Sequence, residues 1–343
     1  MIHSGHYNAI RQAKALCDVL VVGVNSDEEI MRAKGPAILT TAERAEIIRS
    51  CRWVDEVAEG TEYTVNVGVL DRYNCDFYAH GDDVAIDADG NDICAILAAQ
   101  GRFRMFKRTT GVSTTDIIGK LLSLTKQNRK ASHQRQRSGS VGKPLRAKDY
   151  IDEVRKTEEE HFNVGKGPDS VGGNQEDNSE AIVEGLQARD PLHPQQAHSQ
   201  ALGLPRSNFL ATTRRIMHFS ARKEPGPGDK VVYLAGSFDC LHNGHIELIK
   251  KAKAEGDFLY VGVWEDDLVQ KFKGSNYPIL SLHERVLMVM ANKYVDDVVI
   301  GAPFQMNQDL ITTLNIQVVV DGKLRLDEVM DEFEGIDPFE VPK

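Results

Sequence analysis

The chain has 343 residues, 41% hydrophobic and 27% charged, values of a globular protein too long for one ordinary core. Its formal net charge of −10 argues against a nucleic-acid binder but leaves local anion sites open. No apolar run approaches the ~20 residues of a membrane span, and there is no basic start leading into a long apolar core, so no transmembrane segment or signal peptide is expected.

In chain order, the first element is a helix from about Gly5 to Leu16, with apolar residues at Ala9, Ile10, Ala13 and Leu16. "VLVVGV" (19–24) is the short continuous apolar run of a buried parallel strand. Residues 41–51 suggest a helix, "CDFYAHG" (75–81) a strand that leaves into a glycine loop, and "RFRMFKR" (102–108) a strand feeding a helix in "TTGVSTTDIIGKLLSL". Residues ~126–205 are polar and rich in Gly, Asn and Gln, the composition of a flexible linker. A helix is expected over 207–220, then a strand in "VVYLAGSFD" (231–239). Alternation of this kind predicts an α/β architecture of parallel sheets flanked by helices, with ligands at the carboxyl ends of the strands. The five cysteines (Cys17, Cys51, Cys75, Cys94, Cys240) form no Cys-x-x-Cys pair and suggest reduced thiols in a cytoplasmic protein.

The chain also repeats itself. His3 and His6 recur 239 positions on as His242 and His245, "QAKA" as "KAKA", "VGV" as "VGV", and Lys34-Gly35 as Lys273-Gly274. After a two-residue insertion, Glu43-Arg44 recurs as Glu284-Arg285, "WVDEV" (53–57) as "YVDDV" (294–298), and His80-Gly81 meets Asp321-Gly322. Two copies of one domain are expected, over 1–125 and 206–330, separated by the 126–205 linker and followed by an acidic tail over 331–343.

His-x-Gly-His opens a helix in each copy. Imidazoles three residues apart share a face of the first turn, where unpaired backbone N–H groups and the positive dipole end already favour an anion. Gly5 and Gly244 would let a phosphate approach the backbone. "RTTGVSTTD" (108–116) offers a second cradle: Arg108 gives charge, Gly111 backbone access, and Ser113, Thr114 and Thr115 hydroxyl donors. Taken alone, this segment is also what a well-capped helix start looks like. Lys34 gains weight from its recurrence as Lys273. No third His, Cys or carboxylate accompanies the histidines at metal-ligand spacing, so no protein-held metal is expected.

His-x-Gly-His, Arg-Thr-x-Gly-x-Ser-Thr-Thr and "RWVDEV" together resemble the cytidylyltransferase family, and "HGDDVAIDADGNDIC" (80–94) with the tandem repeat resembles its ethanolamine-phosphate branch. The resemblance covers both copies and leaves out the linker and tail. It implies two Rossmann-like nucleotidyltransferase domains. It implies the reaction CTP + phosphoethanolamine → CDP-ethanolamine + pyrophosphate, in phosphatidylethanolamine synthesis, with Mg²⁺ carried on CTP. His3, His6, Lys34, Arg108, Ser113 and Thr114 would then be catalytic. Gly5, Arg44, Arg52, Asp55, Gly111 and Thr115 would bind nucleotide, with Arg52 and Asp55 near the cytosine. In the second copy Ser237, Phe238, Asp239, His242, Asn243, Gly244, His245 and Lys273 would do so. His80, Gly81, Asp82 and Asp83 would read phosphoethanolamine, an aspartate pairing with its ammonium group. A homodimer is one expected assembly.

Two departures from the family pattern shape the expectations. Only Met1 and Ile2 precede His3, whereas the second copy leads its motif with "VVYLAGSFD", so the first copy is expected to lack its first strand and the chain to be N-terminally shortened. The second copy has no Arg-Thr-x-Gly-x-Ser-Thr after Gly322, and Lys293 and Asp321 stand where the first has Arg52 and His80. Catalysis is therefore expected in the first copy. A catalytically impaired regulatory form, binding CTP or dimerising without turnover, is the alternative.

Overall fold

A computed structural model of the chain describes residues 2–82, 94–109, 114–115, 117–121, 208–274, 276–322 and 341. The expected linker, nearly all of the acidic tail, and Asp83, Gly111 and Ser113 lie outside the described residues.

The first copy runs α1 (Ser4–Lys14), β1 (Val21–Asn25), α2 (Asp27–Lys34), α3 (Thr41–Arg49), β2 (Glu56–Thr61), α4 (Val67–Arg72), β3 (Tyr78–Gly81), α5 (Ala95–Ala99) and β4 (Phe103–Phe106). Residues 114–115 and 117–121 are helical beyond it. After α6 (Asn208–Phe219), the second copy runs β5 (Val231–Gly236), α7 (Asn243–Ala254), β6 (Phe258–Val263), α8 (Asp266–Lys273), α9 (Leu282–Met290), β7 (Asp297–Ile300), α10 (Gln308–Thr313) and β8 (Ile316–Val320). The helices keep the spacing of the sequence repeat. The start of α8 lies 239 residues after that of α2, and α9 and α10 start 241 after α3 and α4. The two-residue insertion therefore falls between α8 and α9.

The starts of α3 and α9 have a local cause. Thr40 caps α3 and Ser281 caps α9, each in a reciprocal capping box with the glutamate three residues on, Glu43 and Glu284. The recurring Lys-Gly marks a helix end: Gly35 and Gly274 follow α2 and α8 with φ of 90° and 97°, a conformation that favours glycine.

Among the described residues all the strand pairs are parallel. In the second copy they form one four-stranded sheet of order β7-β6-β5-β8, with β5 between β6 and β8. This is a doubly wound order whose switch point lies between β5 and β8, at the end that carries His242 and Asp321. The first copy has the pairs β1-β2 and β3-β4 instead. Between them lies a slot of about 560 Å³ lined by α1, β1, α4 and β3.

One apolar core runs through both copies, from Tyr7, Ile10, Ala45, Ile47 and Ile48 into Leu234, Ile246, Val286, Met288 and Val289. α9 buries every residue from Arg285 to Met290. Each fully buried large apolar side chain of this helix contributes about 1.5–3 kcal/mol to the shared core. The joint itself is reciprocal. The Arg52 amide donates to the Ala291 carbonyl at 2.9 Å, and the Lys293 amide donates to the Ser50 carbonyl at 2.7 Å. Those residues are equivalents under the repeat. Cys51 and Asn292 form an antiparallel bridge at the centre, α1 packs on α9, and α7 packs on α3. The two copies thus meet as an isologous pair within one chain.

Candidate active site

In the first copy, His3 is the N-cap of α1, with extended backbone, and its Nδ1 accepts the Gly5 amide at 3.1 Å. His6 lies three residues on, and its Nδ1 accepts the His3 amide at 3.3 Å. The ring centroids are 4.0 Å apart. The sequence motif is therefore a capping box made of imidazoles. Because each Nδ1 is an acceptor, a neutral ring carries its proton on Nε2, which makes Nε2–H the donor of each histidine. His3 is buried. His6 is crowded by protein on one side and keeps solvent-exposed surface on the other. Desolvation lowers its pKa below the ordinary 6.5, the charge of His3 adds to this, and Lys34 and Arg108 push the same way more weakly. Water on the open side tempers the drop. The direction is enough to keep His6 neutral, and a donor, at neutral pH.

Lys34, in the last turn of α2, is exposed with its Nζ 5.6 Å from the centre of the Tyr63 ring. The segment after β4 is fastened to α1 by side chains absent from the sequence motif. Asn8 Nδ2 donates to Thr109 Oγ1 at 2.8 Å, and Gln12 Nε2 donates to the Lys107 carbonyl at 2.9 Å. Asn8 and Gln12 are one helical turn apart and thus share a face, a spacing that was available as a signal. Beyond this segment, Thr114 is half-buried and Thr115 exposed at the start of the next helical stretch. The Arg108 amide donates to Asp82 Oδ1 at 2.8 Å, so Asp82 links the end of β3 to this segment. His80 and Gly81 close β3, with His80 Nδ1 3.1 Å from the Gly81 carbonyl oxygen.

Three residues expected at the nucleotide are engaged in the scaffold. Arg44 is buried and donates to the Leu39 and Asn25 carbonyls, to Thr41 Oγ1 and to the Asp27 carboxylate. It ties α3 to the turn after β1. Arg52 sits in the joint between the copies and donates to the Asn292 and Val295 carbonyls at 3.1 and 2.8 Å. Asp55 accepts from Lys14 Nζ at 2.6 Å and from the Leu20 amide at 2.7 Å, bonds that hold its carboxyl below the usual range. Asp296 repeats this pattern with Lys253 and the Leu259 amide.

The second copy rebuilds the imidazole cap. His242 Nδ1 accepts the Gly244 amide at 3.1 Å, His245 Nδ1 accepts the His242 amide at 3.4 Å, and the rings are again 4.0 Å apart. Burial again lowers the pKa of His245. A Cβ on Gly244 would stand 2.9 Å from His242 Cε1, so this glycine seats the imidazole itself. Asn243 is the first residue of α7. Around the cap, however, the polar groups are bonded to one another. Lys273 Nζ donates to Ser237 Oγ at 2.8 Å, and Asp239 accepts the Ile279 and Leu280 amides at 2.7 and 3.0 Å. Phe238 is buried with its ring 5.6 Å from that of His245. Arg285 is fully buried on the carbonyls of Ser237, Trp264 and Leu280 and on Asp266.

Among the described residues, no three His, Cys, Asp or Glu side chains gather to hold a metal ion, and no helix is long and apolar enough to cross a membrane.

The Cytidylyltransferase-like family matches residues 1–120 and 233–336 of the chain. The ethanolamine-phosphate cytidylyltransferase of Dictyostelium discoideum is 41% identical over the whole chain and 81% of its own length. Those of Mus musculus and Arabidopsis thaliana are 36% and 37% identical, again over the whole chain, and over 77% and 72% of their own lengths. The repeated imidazole cap, the doubly wound sheet and these full-length likenesses agree: the chain belongs to the ethanolamine-phosphate cytidylyltransferase family, within the cytidylyltransferase-like proteins.

Proposed function

We propose that the first copy transfers CMP from CTP to phosphoethanolamine and releases pyrophosphate. A phosphate oxygen of phosphoethanolamine forms the new bond to the α-phosphorus of CTP, and the bond from that phosphorus to the bridging oxygen breaks. The nucleophile is already anionic, so no side chain has to remove a proton. The need is for donors where negative charge builds. The Nδ1 locking of His3 and His6 carries this reading, because it leaves two neighbouring Nε2–H donors at the positive end of α1.

Lys34 adds positive charge for the phosphates. Arg108 with Ser113 and Thr114 holds the leaving pyrophosphate, and Gly111 and Thr115 complete that cradle. Mg²⁺ enters as the counter-ion of CTP. Asp82, placed beside β3 and bonded to the Arg108 amide, pairs with the substrate's ammonium group, together with His80, Gly81 and Asp83. Asp82→Ala should raise KM for phosphoethanolamine, and an unchanged KM would remove Asp82 from this role. Five free cysteine thiols support a cytoplasmic location, and a homodimer belongs to the same reading. Pyrophosphate release from CTP, measured with phosphoethanolamine and with phosphocholine, tests the whole. Release with phosphoethanolamine should be clearly faster, and equal release would refute the substrate assignment.

A further inference from the structure

The helix that carries the imidazole cap of the first copy also holds the segment that carries Arg108. Asn8 Oδ1 accepts from both Nε and Nη2 of Arg11, each at 3.1 Å. A guanidinium only donates, so this contact fixes the amide with its oxygen toward Arg11 and its Nδ2 toward Thr109 Oγ1, 2.8 Å away. Nδ2 in turn can only donate. The Thr109 oxygen is therefore the acceptor, and its own O–H proton is turned elsewhere as a donor. Four residues after Asn8, Gln12 Nε2 donates to the Lys107 carbonyl at 2.9 Å. Both neighbours of Arg108 are thus held by α1. The Arg108 amide is held by Asp82 Oδ1 at 2.8 Å, and its side chain is exposed.

Among the described residues this network does not recur. The repeat puts Glu247, Lys250 and Lys251 at the positions of Asn8, Arg11 and Gln12. There Glu247 pairs with Lys250 on the surface of its own helix, 3.7 Å apart. This is also the copy with no Arg-Thr-x-Gly-x-Ser-Thr after Gly322. Lys14 and Asp55, by contrast, recur as Lys253 and Asp296 and keep their bond. The cap and the Lys14–Asp55 pair are common to both copies, whereas the Asn8 network accompanies the Arg108 segment alone.

We propose, on the basis of the reaction assigned above to the first copy, that Asn8, oriented by Arg11, is a positioning residue for CMP transfer. It holds the Thr109 hydroxyl with its proton turned outward, as a donor to the leaving pyrophosphate. With Gln12 it also sets the distance from the Arg108 segment to the Nε2–H donors at the head of α1. One rigid helix then spaces the groups that meet the two sides of the breaking bond.

Asn8→Asp tests this by steady-state kinetics. The carboxylate keeps Arg11 as a partner but accepts the Thr109 proton, so the hydroxyl turns inward and its donor is lost. KM for CTP and the inhibition constant of pyrophosphate should each rise at least about tenfold, while KM for phosphoethanolamine stays within about twofold and the urea midpoint does not move. A new negative charge acting by itself would raise KM for CTP equally with or without the hydroxyl. In a Thr109→Val background Asn8→Asp should therefore add less than about twofold, because the donor is already gone. If Asn8→Asp fails to fold, Asn8→Ala taken through the same cycle decides. An unchanged KM for CTP would overturn the proposal, as would a loss of the same size in the Thr109→Val background. Either result leaves pyrophosphate release by the unaltered chain, and with it the reaction, standing. Absence of that release from the unaltered chain removes the reaction and this role together.

Discussion

In the first copy Lys34 and Arg108 are exposed, and their charges add to the lowering of the His6 pKa. Around the second imidazole pair, Lys273 is bonded to Ser237 and Asp239 to two backbone amides. The caps share one geometry, yet in the second the polar surroundings are tied to one another. The difference teaches that a motif repeated within a chain marks a shared scaffold, and that its neighbours decide which copy does chemistry.

Lysine deletion should break the symmetry most strongly. Lys34→Ala should lower turnover about 10²-fold, the loss of one preorganised charge at a reacting phosphate. Lys273→Ala should leave turnover within about twofold. Steady-state kinetics on both variants checks this, and equal losses would show that both copies turn over.

Stability should then separate the two buried arginines. Arg285→Leu orphans three carbonyls, at a cost of about 3 kcal/mol or more, whereas Arg44→Leu orphans two, at about 2 kcal/mol. Urea unfolding should show the gap. Its absence would mean that the Arg285 bond to the Ser237 carbonyl contributes nothing.

Arg52→Lys sharpens the reading of the joint. It installs the residue that the second copy has at the equivalent position, and should cost about 1–2 kcal/mol of stability through the lost bonds to Asn292 and Val295. The KM for CTP should not change. A raised KM with unchanged stability would return Arg52 to the nucleotide.

The smallest expected effect is on the pH dependence of stability. His6 and His245 have folded-state pKa values below the unfolded 6.5, so the unfolded chain takes up protons first as pH falls. Their stabilising contribution is complete above pH 6.5 and is lost as pH drops toward the lowered values. His6→Gln and His245→Gln should each flatten the fall in melting temperature between pH 7 and pH 5, and a steeper fall would contradict the direction of both shifts.

Much of this fold could be read from the repeat alone. The 239-residue offset and its shift to 241 locate equivalent helices in both copies, because capping boxes and the Lys-Gly terminus are local signals. The histidine pair was legible for the same reason. The roles of Arg44, Arg52 and Asp55 were not, since their partners are backbone carbonyls, amides and side chains brought together by the fold. One clue was present: Lys14 and Asp55 recur together as Lys253 and Asp296. A pair kept in the copy without the Arg-Thr-x-Gly segment belongs to the scaffold.

The central claim is that the imidazole pair of the first copy, and not that of the second, drives CMP transfer. Asparagine retains an N-cap acceptor, so replacing His3 and His6 by Asn, or His242 and His245 by Asn, alters each donor pair with the cap largely preserved. Pyrophosphate release from CTP and phosphoethanolamine should fall at least about 10³-fold in the first double variant and stay within about threefold of the unaltered chain in the second. Full release by the first variant, or an equal loss in the second, would contradict the account.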